Sequence, residues 1–184
     1  LRKEVRDFQP QIVGISVREW REWRHYKEVI AAAADQIAAE FGARVVFLPM
    51  QYPEDVKVAE LIAGHMKAPA TVLNDEYTTS ELLSIVGNMD LLISIRLHAL
   101  IFAGVMGVPM LGISYDPKID RFLDSIGEQP VGNLRDVTAE ELMVEIRRKW
   151  NDKQTFRQQN AELLVELRDM AARNAELALN LAHK

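Results

Sequence analysis

The sequence contains no cysteine. Disulfides, thiolate nucleophiles and cysteine-ligated metals are therefore excluded. Glycine is sparse, at nine residues, and none of them forms a G-x-G-x-x-G or Walker arrangement. The usual backbone cradles for a dinucleotide or for ATP are lacking. A G-x-S-x-G nucleophile elbow is lacking too. His25, His65 and His183 are scattered, and no paired spacing such as H-x-x-x-H occurs, so no metal site is expected. No apolar run reaches the roughly 18 residues of a membrane span, and residues 1–10 do not read as a signal peptide. Basic excess is absent as well. Lys and Arg total 22 against 27 Asp and Glu, a net charge of −5, which argues against a nucleic-acid partner. A local basic pocket for a small anion remains compatible with that balance.

What is present is an ordinary globular composition. The chain has 184 residues, 48% of them hydrophobic, enough for one domain with a real core plus a helical tail. The informative stretch is 90–118, DLLISIRLHALIFAGVMGVPMLGISYDPK. Leu91, Leu92, Ile93 and Ile95 form a short apolar run, the mark of a strand covered on both faces. Arg96, Leu97 and His98 interrupt it. A helix is expected over 99–106, stopping at Gly107, and Met110 to Ile113 reads as the next buried strand. Arg96, His98 and the polar turn 114–118 then stand at the carboxyl ends of two parallel strands, the edge where open α/β sheets bind ligands. A guanidinium and an imidazole there suit an anion, and the following helix adds unpaired N–H groups. A purely structural Arg and His would read the same way by spacing alone.

The ordered run Arg96-Leu97-His98-Ala99, Gly107-Val108-Pro109 and Gly112-Ile113-Ser114-Tyr115-Asp116-Pro117-Lys118 resembles the polysaccharide pyruvyl transferase family. The likeness covers most of 12–127. It is nearest to the bacterial branch that pyruvylates a secondary cell-wall polysaccharide beneath an S-layer. The resemblance implies one half of a two-domain GT-B-like fold and phosphoenolpyruvate as donor, with no further cofactor. The implied product is a ketal-linked pyruvate on a sugar. It further implies a donor site holding Arg18, Arg96, Leu97, His98, Ser114 and Lys118, with His98 and Arg96 in catalysis. The implied partners are phosphoenolpyruvate, a lipid-linked glycan acceptor carrying N-acetylmannosamine, and a preceding domain. The implied location is the cytoplasm, at the inner face of the membrane.

Read in order, residues 1–11 are charged and mixed, as in a linker or the remnant of a preceding domain. The chain opens on Leu1 rather than Met, as a fragment, a processed product or an engineered piece would. A Rossmann-like, mainly parallel α/β sheet with helices on both faces is expected over 12–137. Its strands are expected at 12–17, 45–48, 71–73, 91–95 and 110–113, with a minor one from Val131. Helices are expected over 26–41, 54–66, 78–89 and 117–126. Arg18 leaves the first strand, while Arg21 and Arg24 read as a solvated face. Gln51, Tyr52 and Asp55 follow the second strand, where a turn and an N-cap explain them as well as a ligand does. Thr78, Thr79 and Ser80 are weak ligand candidates, because Thr78 with Glu81 spells a capping box, as does Thr138 with Glu141. Lys118 is unfavourable at a helix start, a cost that a bound anion would relieve. Residues 138–184 are expected to form C-terminal helices. The last, from Thr155, carries Phe156, Leu163, Leu164, Leu167, Met170, Leu177 and Leu181 on one stripe, which could associate with a second copy.

Three functions are compatible with these residues. The first is pyruvyl transfer from phosphoenolpyruvate, with His98 as acid or electrostatic support and Arg18 and Arg96 neutralising the donor. The second is a nucleotide-sugar glycosyltransferase of the same architecture. The third is a non-catalytic donor-binding half that associates through its long helix.

Overall fold

Short strands and longer helices alternate along the chain. The computed structural model describes residues 10–20, 23–153, 155–156, 158–162 and 173. β1 (Ile12–Ser16), α1 (Tyr26–Phe41), β2 (Arg44–Phe47), α2 (Glu54–His65), β3 (Ala70–Val72) and α3 (Thr79–Gly87) form the first half. β4 (Leu91–Ser94), α4 (Leu97–Met106), β5 (Met110–Ser114), α5 (Pro117–Ser125), β6 (Gly132–Asn133) and α6 (Ala139–Asn151) form the second. The six strands make one parallel sheet in the order β3-β2-β1-β4-β5-β6. This is a Rossmann-like doubly wound sheet. Its order reverses between β1 and β4, which places a crevice at their carboxyl ends.

Alternation along the strands explains why both faces are covered. Val13, Ile15, Leu91, Ile93, Leu111 and Ile113 point to one face, where they meet Ile30 and Ile37 of α1, Ile62 of α2 and Leu142 and Ile146 of α6. Leu92 and Met110 point to the other, against Val86 of α3, Leu100 of α4 and Leu123 of α5. Burying each such side chain is worth roughly 1.5–3 kcal/mol. The central strands are accordingly apolar on both faces and rich in branched residues, as parallel strands require. Gly112 lets the second layer close on β5. A Cβ there would lie 2.6 Å from Leu123 Cδ1 and 3.2 Å from Leu100 Cδ1.

The helix ends follow the capping chemistry. Thr78 and Thr138 each accept from the backbone of the residue three ahead, and Glu81 and Glu141 return the bond to the N-cap amide. Gly107 ends α4 at φ 67°, a left-handed conformation that glycine adopts without Cβ strain. α4 begins at Leu97, two residues before the expected 99. The reason lies in Ser94, whose hydroxyl accepts from Arg96 N at 2.8 Å and donates to Arg96 O at 2.9 Å. That closes a turn tight enough for the helix to follow at once.

α6 is not a separate layer; its Leu142, Met143 and Ile146 belong to the main core beside α1. After Asp152 the described residues turn helical again, Phe156 packs on the α3–α5 side, and Asn160 Nδ2 donates to the Gly104 carbonyl at 2.7 Å. Leu163, Leu164, Leu167, Met170, Leu177 and Leu181 lie outside the described residues, as do residues 1–9 and Arg21.

Candidate active site

Strand register places the two arginines side by side. Ser16 of β1 pairs with Ser94 of β4. Arg18 and Arg96 each stand two residues further on, past the carboxyl ends of adjacent strands. Arg18 lies close enough for its charge to act on both Arg96 and Asp55. Beneath them, Ser16 Oγ is fully buried and has no hydrogen-bond partner among the described residues. Arg96 is the N-cap residue of α4 and supplies no side-chain cap, so the first-turn N–H groups of that helix are open to an anion.

Arg96 is fixed by the loop after β2. Its Nε lies 3.2 Å from Asp55 Oδ2, and its Nη2 donates to Gln51 Oε1 at 3.4 Å. Asp55 opens α2 and is 2% exposed. Its Oδ2 also accepts from Met50 N at 3.0 Å and Gln51 N at 2.9 Å. Burial pushes the Asp55 carboxyl above the usual carboxylate range, against the pull of Arg96 and the two amides. Burial likewise holds Arg96 below the usual guanidinium range, with Asp55 opposing. Both shifts report the same thing: this corner is poorly solvated, and charges act strongly in it.

Arg18 is held by aromatic groups instead. Its Nη1 donates to the Tyr115 hydroxyl at 3.0 Å, and its guanidinium lies 5.6 Å from the Tyr115 ring centroid and 5.8 Å from that of Trp20. Trp20 rests against Tyr115 at 4.7 Å and stacks on Trp23 at 5.6 Å. Tyr26 anchors the backbone here, donating from its hydroxyl to the Arg18 carbonyl at 2.7 Å. Burial, reinforced by Glu19, raises the Tyr26 phenol well above its ordinary range, so it stays a neutral donor. Arg18 and Arg96 against Asp55 leave this cluster with one net positive charge.

The other sequence candidates are spread along the same rim. His98 is exposed in the first turn of α4, and its imidazole makes no hydrogen bond or ion pair among the described residues. Leu97 is half-buried against the α3–α5 side. Ser114 ends β5 and is 6% exposed. Lys118 sits in the first turn of α5 but pairs with Asp116 at 3.3 Å. Asp116 is also the N-cap, accepting from Lys118 N at 3.0 Å. The cost of a cation at that helix start is thus met within the chain, and no bound anion is required to explain Lys118. His25, at the N-cap of α1, is a second histidine on this side of the sheet. Thr78 is committed to its capping box. Among the described residues, no group of three His, Asp or Glu could hold a metal ion. A concavity of about 710 Å³ between α1 and α2 is lined by Glu19, Arg24, Lys27, Glu28, Leu61 and His65. Its acids and bases balance, and Lys27 is already paired with Glu19 at 2.8 Å, so it is a poorer anion site than the strand ends.

Fold and site together define a Rossmann-like α/β domain with paired cations at its switch point. The model of the polysaccharide pyruvyl transferase family matches residues 5–117. The chain belongs to that family. Solved structures share the fold at low identity. The catalytic domain of the cholesterol-α-glucosyltransferase of Helicobacter pylori superposes with a TM-score of 0.62 at 17% identity, over 88% of this chain and 99% of that one. A putative UDP-N-acetylglucosamine 2-epimerase from Listeria monocytogenes gives 0.62 at 13%, over 84% and 39%. The S. aureus protein MnaA, solved with UDP, gives 0.64 at 10%, over 82% and 40%. The chain thus spans about two-fifths of the length of the latter two. No curated protein matches the sequence.

Proposed function

We propose that this chain binds phosphoenolpyruvate at the carboxyl ends of β1 and β4 and takes part in its transfer to a sugar. The observation that carries the reading is the adjacency of Arg18 and Arg96 over an uncapped helix N-terminus, in a chain of the pyruvyl transferase family. The donor carries a carboxylate and a phosphate, and two guanidiniums match the pair.

In the proposed reaction a proton adds to the donor methylene and makes it a methyl group, which leaves positive character on the adjacent carbon. One sugar hydroxyl bonds to that carbon. The carbon–oxygen bond to phosphate breaks, and a second hydroxyl closes the ketal. The two hydroxyl protons balance the proton consumed and the one carried off by phosphate. His98, exposed on the rim, is the proposed acid. Arg18 and Arg96 stabilise the departing phosphate. The acceptor we propose is N-acetylmannosamine in a lipid-linked cell-wall glycan precursor, reached at the inner face of the membrane.

Isothermal titration of the 184-residue chain tests the donor. Phosphoenolpyruvate should bind, and Arg96→Ala should weaken it by about 2–4 kcal/mol, the range for a charged contact shielded from solvent. Preference for a nucleotide sugar, or binding indifferent to Arg96, would reject the reading.

A further inference from the structure

Asp55 is an odd neighbour for an anion site. It is a buried acid, 2% exposed, set directly against one of the two guanidiniums. By charge alone it lowers the attraction for any anion, so what it contributes must be geometry. Its carboxylate cannot swing freely, because Oδ2 also accepts from the amides of Met50 and Gln51. Those bonds tie it to the loop between β2 and α2. Arg96 in turn pairs through Nε with the Asp55 carboxylate and donates from Nη2 to the Gln51 side chain. The rest of its fork is left for a ligand. A flexible side chain at the mouth of α4 is thereby referenced to the backbone of a different strand's loop.

We propose that Asp55, supported by Gln51, is a positioning residue. It fixes the orientation of Arg96 so that the site selects an anion bearing carboxylate and phosphate together over inorganic phosphate alone. This rests on the donor reading above. A small, nearly spherical anion accepts donors from many directions, whereas a two-headed one requires Arg18 and Arg96 at a set mutual angle.

The electrostatic and positioning roles make opposite forecasts. Asp55→Asn adds one net positive charge, so a purely electrostatic Asp55 would leave the variant binding both ligands more tightly. A positioning Asp55 gives a split. Titrated at constant ionic strength, Asp55→Asn should bind phosphoenolpyruvate about tenfold more weakly, while inorganic phosphate binds equally or more tightly. Gln51→Ala, at an exposed loop position, gives a second readout if Asp55→Asn fails to fold. It should lose a few-fold in phosphoenolpyruvate affinity and none for phosphate. Equal changes for the two ligands in either variant would overturn the proposal. A wild-type chain that binds inorganic phosphate but not phosphoenolpyruvate would instead sink the donor reading, and this inference with it.

Discussion

Arg18 and Arg96 are held by different means, and they should respond differently to substitution. Arg96 is locked by an ion pair in a poorly solvated corner, where a planar fork is needed. Arg96→Lys keeps the charge but loses the fork, so it should fail to restore donor affinity in the same titration. Arg18 leans on two rings and one hydroxyl. Tyr115→Phe keeps the ring and removes the acceptor. It should cost a few-fold in affinity with little change in the thermal midpoint. Tyr26→Phe acts on stability instead. It leaves the Arg18 carbonyl without its buried donor, which should cost about 1–3 kcal/mol in a denaturant titration. The placement of Arg18, Arg96 and His98 past strand ends was legible in the sequence because each follows an apolar run that ends abruptly, whereas the donor-site role of Arg18 came from the family resemblance alone. Their partners were not. Tyr115 lies 97 positions from Arg18, and Gln51 lies 45 from Arg96. Such contacts arise only when the sheet order brings separate strand ends together, and no local pattern encodes them.

Single elements obey local chemistry more openly. Both capping boxes were readable as T-x-x-E, and both form. Thr138→Ala should destabilise the protein by about 1 kcal/mol in the same titration. The boxes also set a pH dependence. Hydrogen bonds from Thr78 and Thr138 hold Glu81 and Glu141 below the ordinary carboxylate range. A depressed folded-state value means stability that is present above the ordinary range and lost as pH falls through the depressed one. Glu141→Gln should therefore flatten the acid limb of a stability–pH profile by lowering its neutral region, while variant and wild type converge at low pH. Less was readable where one side chain does two jobs. Ser94 closes the turn that starts α4 early, and Asp116 both caps α5 and pairs with Lys118. Helix periodicity carries no trace of either.

At the scale of the whole molecule, the doubly wound sheet followed from alternation of strand and helix, and its apolar strands told that both faces would be covered. The close approach of α4 and α5 to β5 depends on one missing Cβ. Gly112→Ala should cost about 1–3 kcal/mol as Leu123 and Leu100 are pushed back. The family match and the fold join here, for the sheet's reversal point is where the paired arginines stand. A crystal structure of this chain soaked with phosphoenolpyruvate is the most direct measurement of that claim. The expected result is a donor whose phosphate and carboxylate each lie within hydrogen-bond distance of Arg18 or Arg96, with Asp55 still on the Arg96 Nε. A donor seated in the groove between α1 and α2, or touching neither arginine, would contradict it.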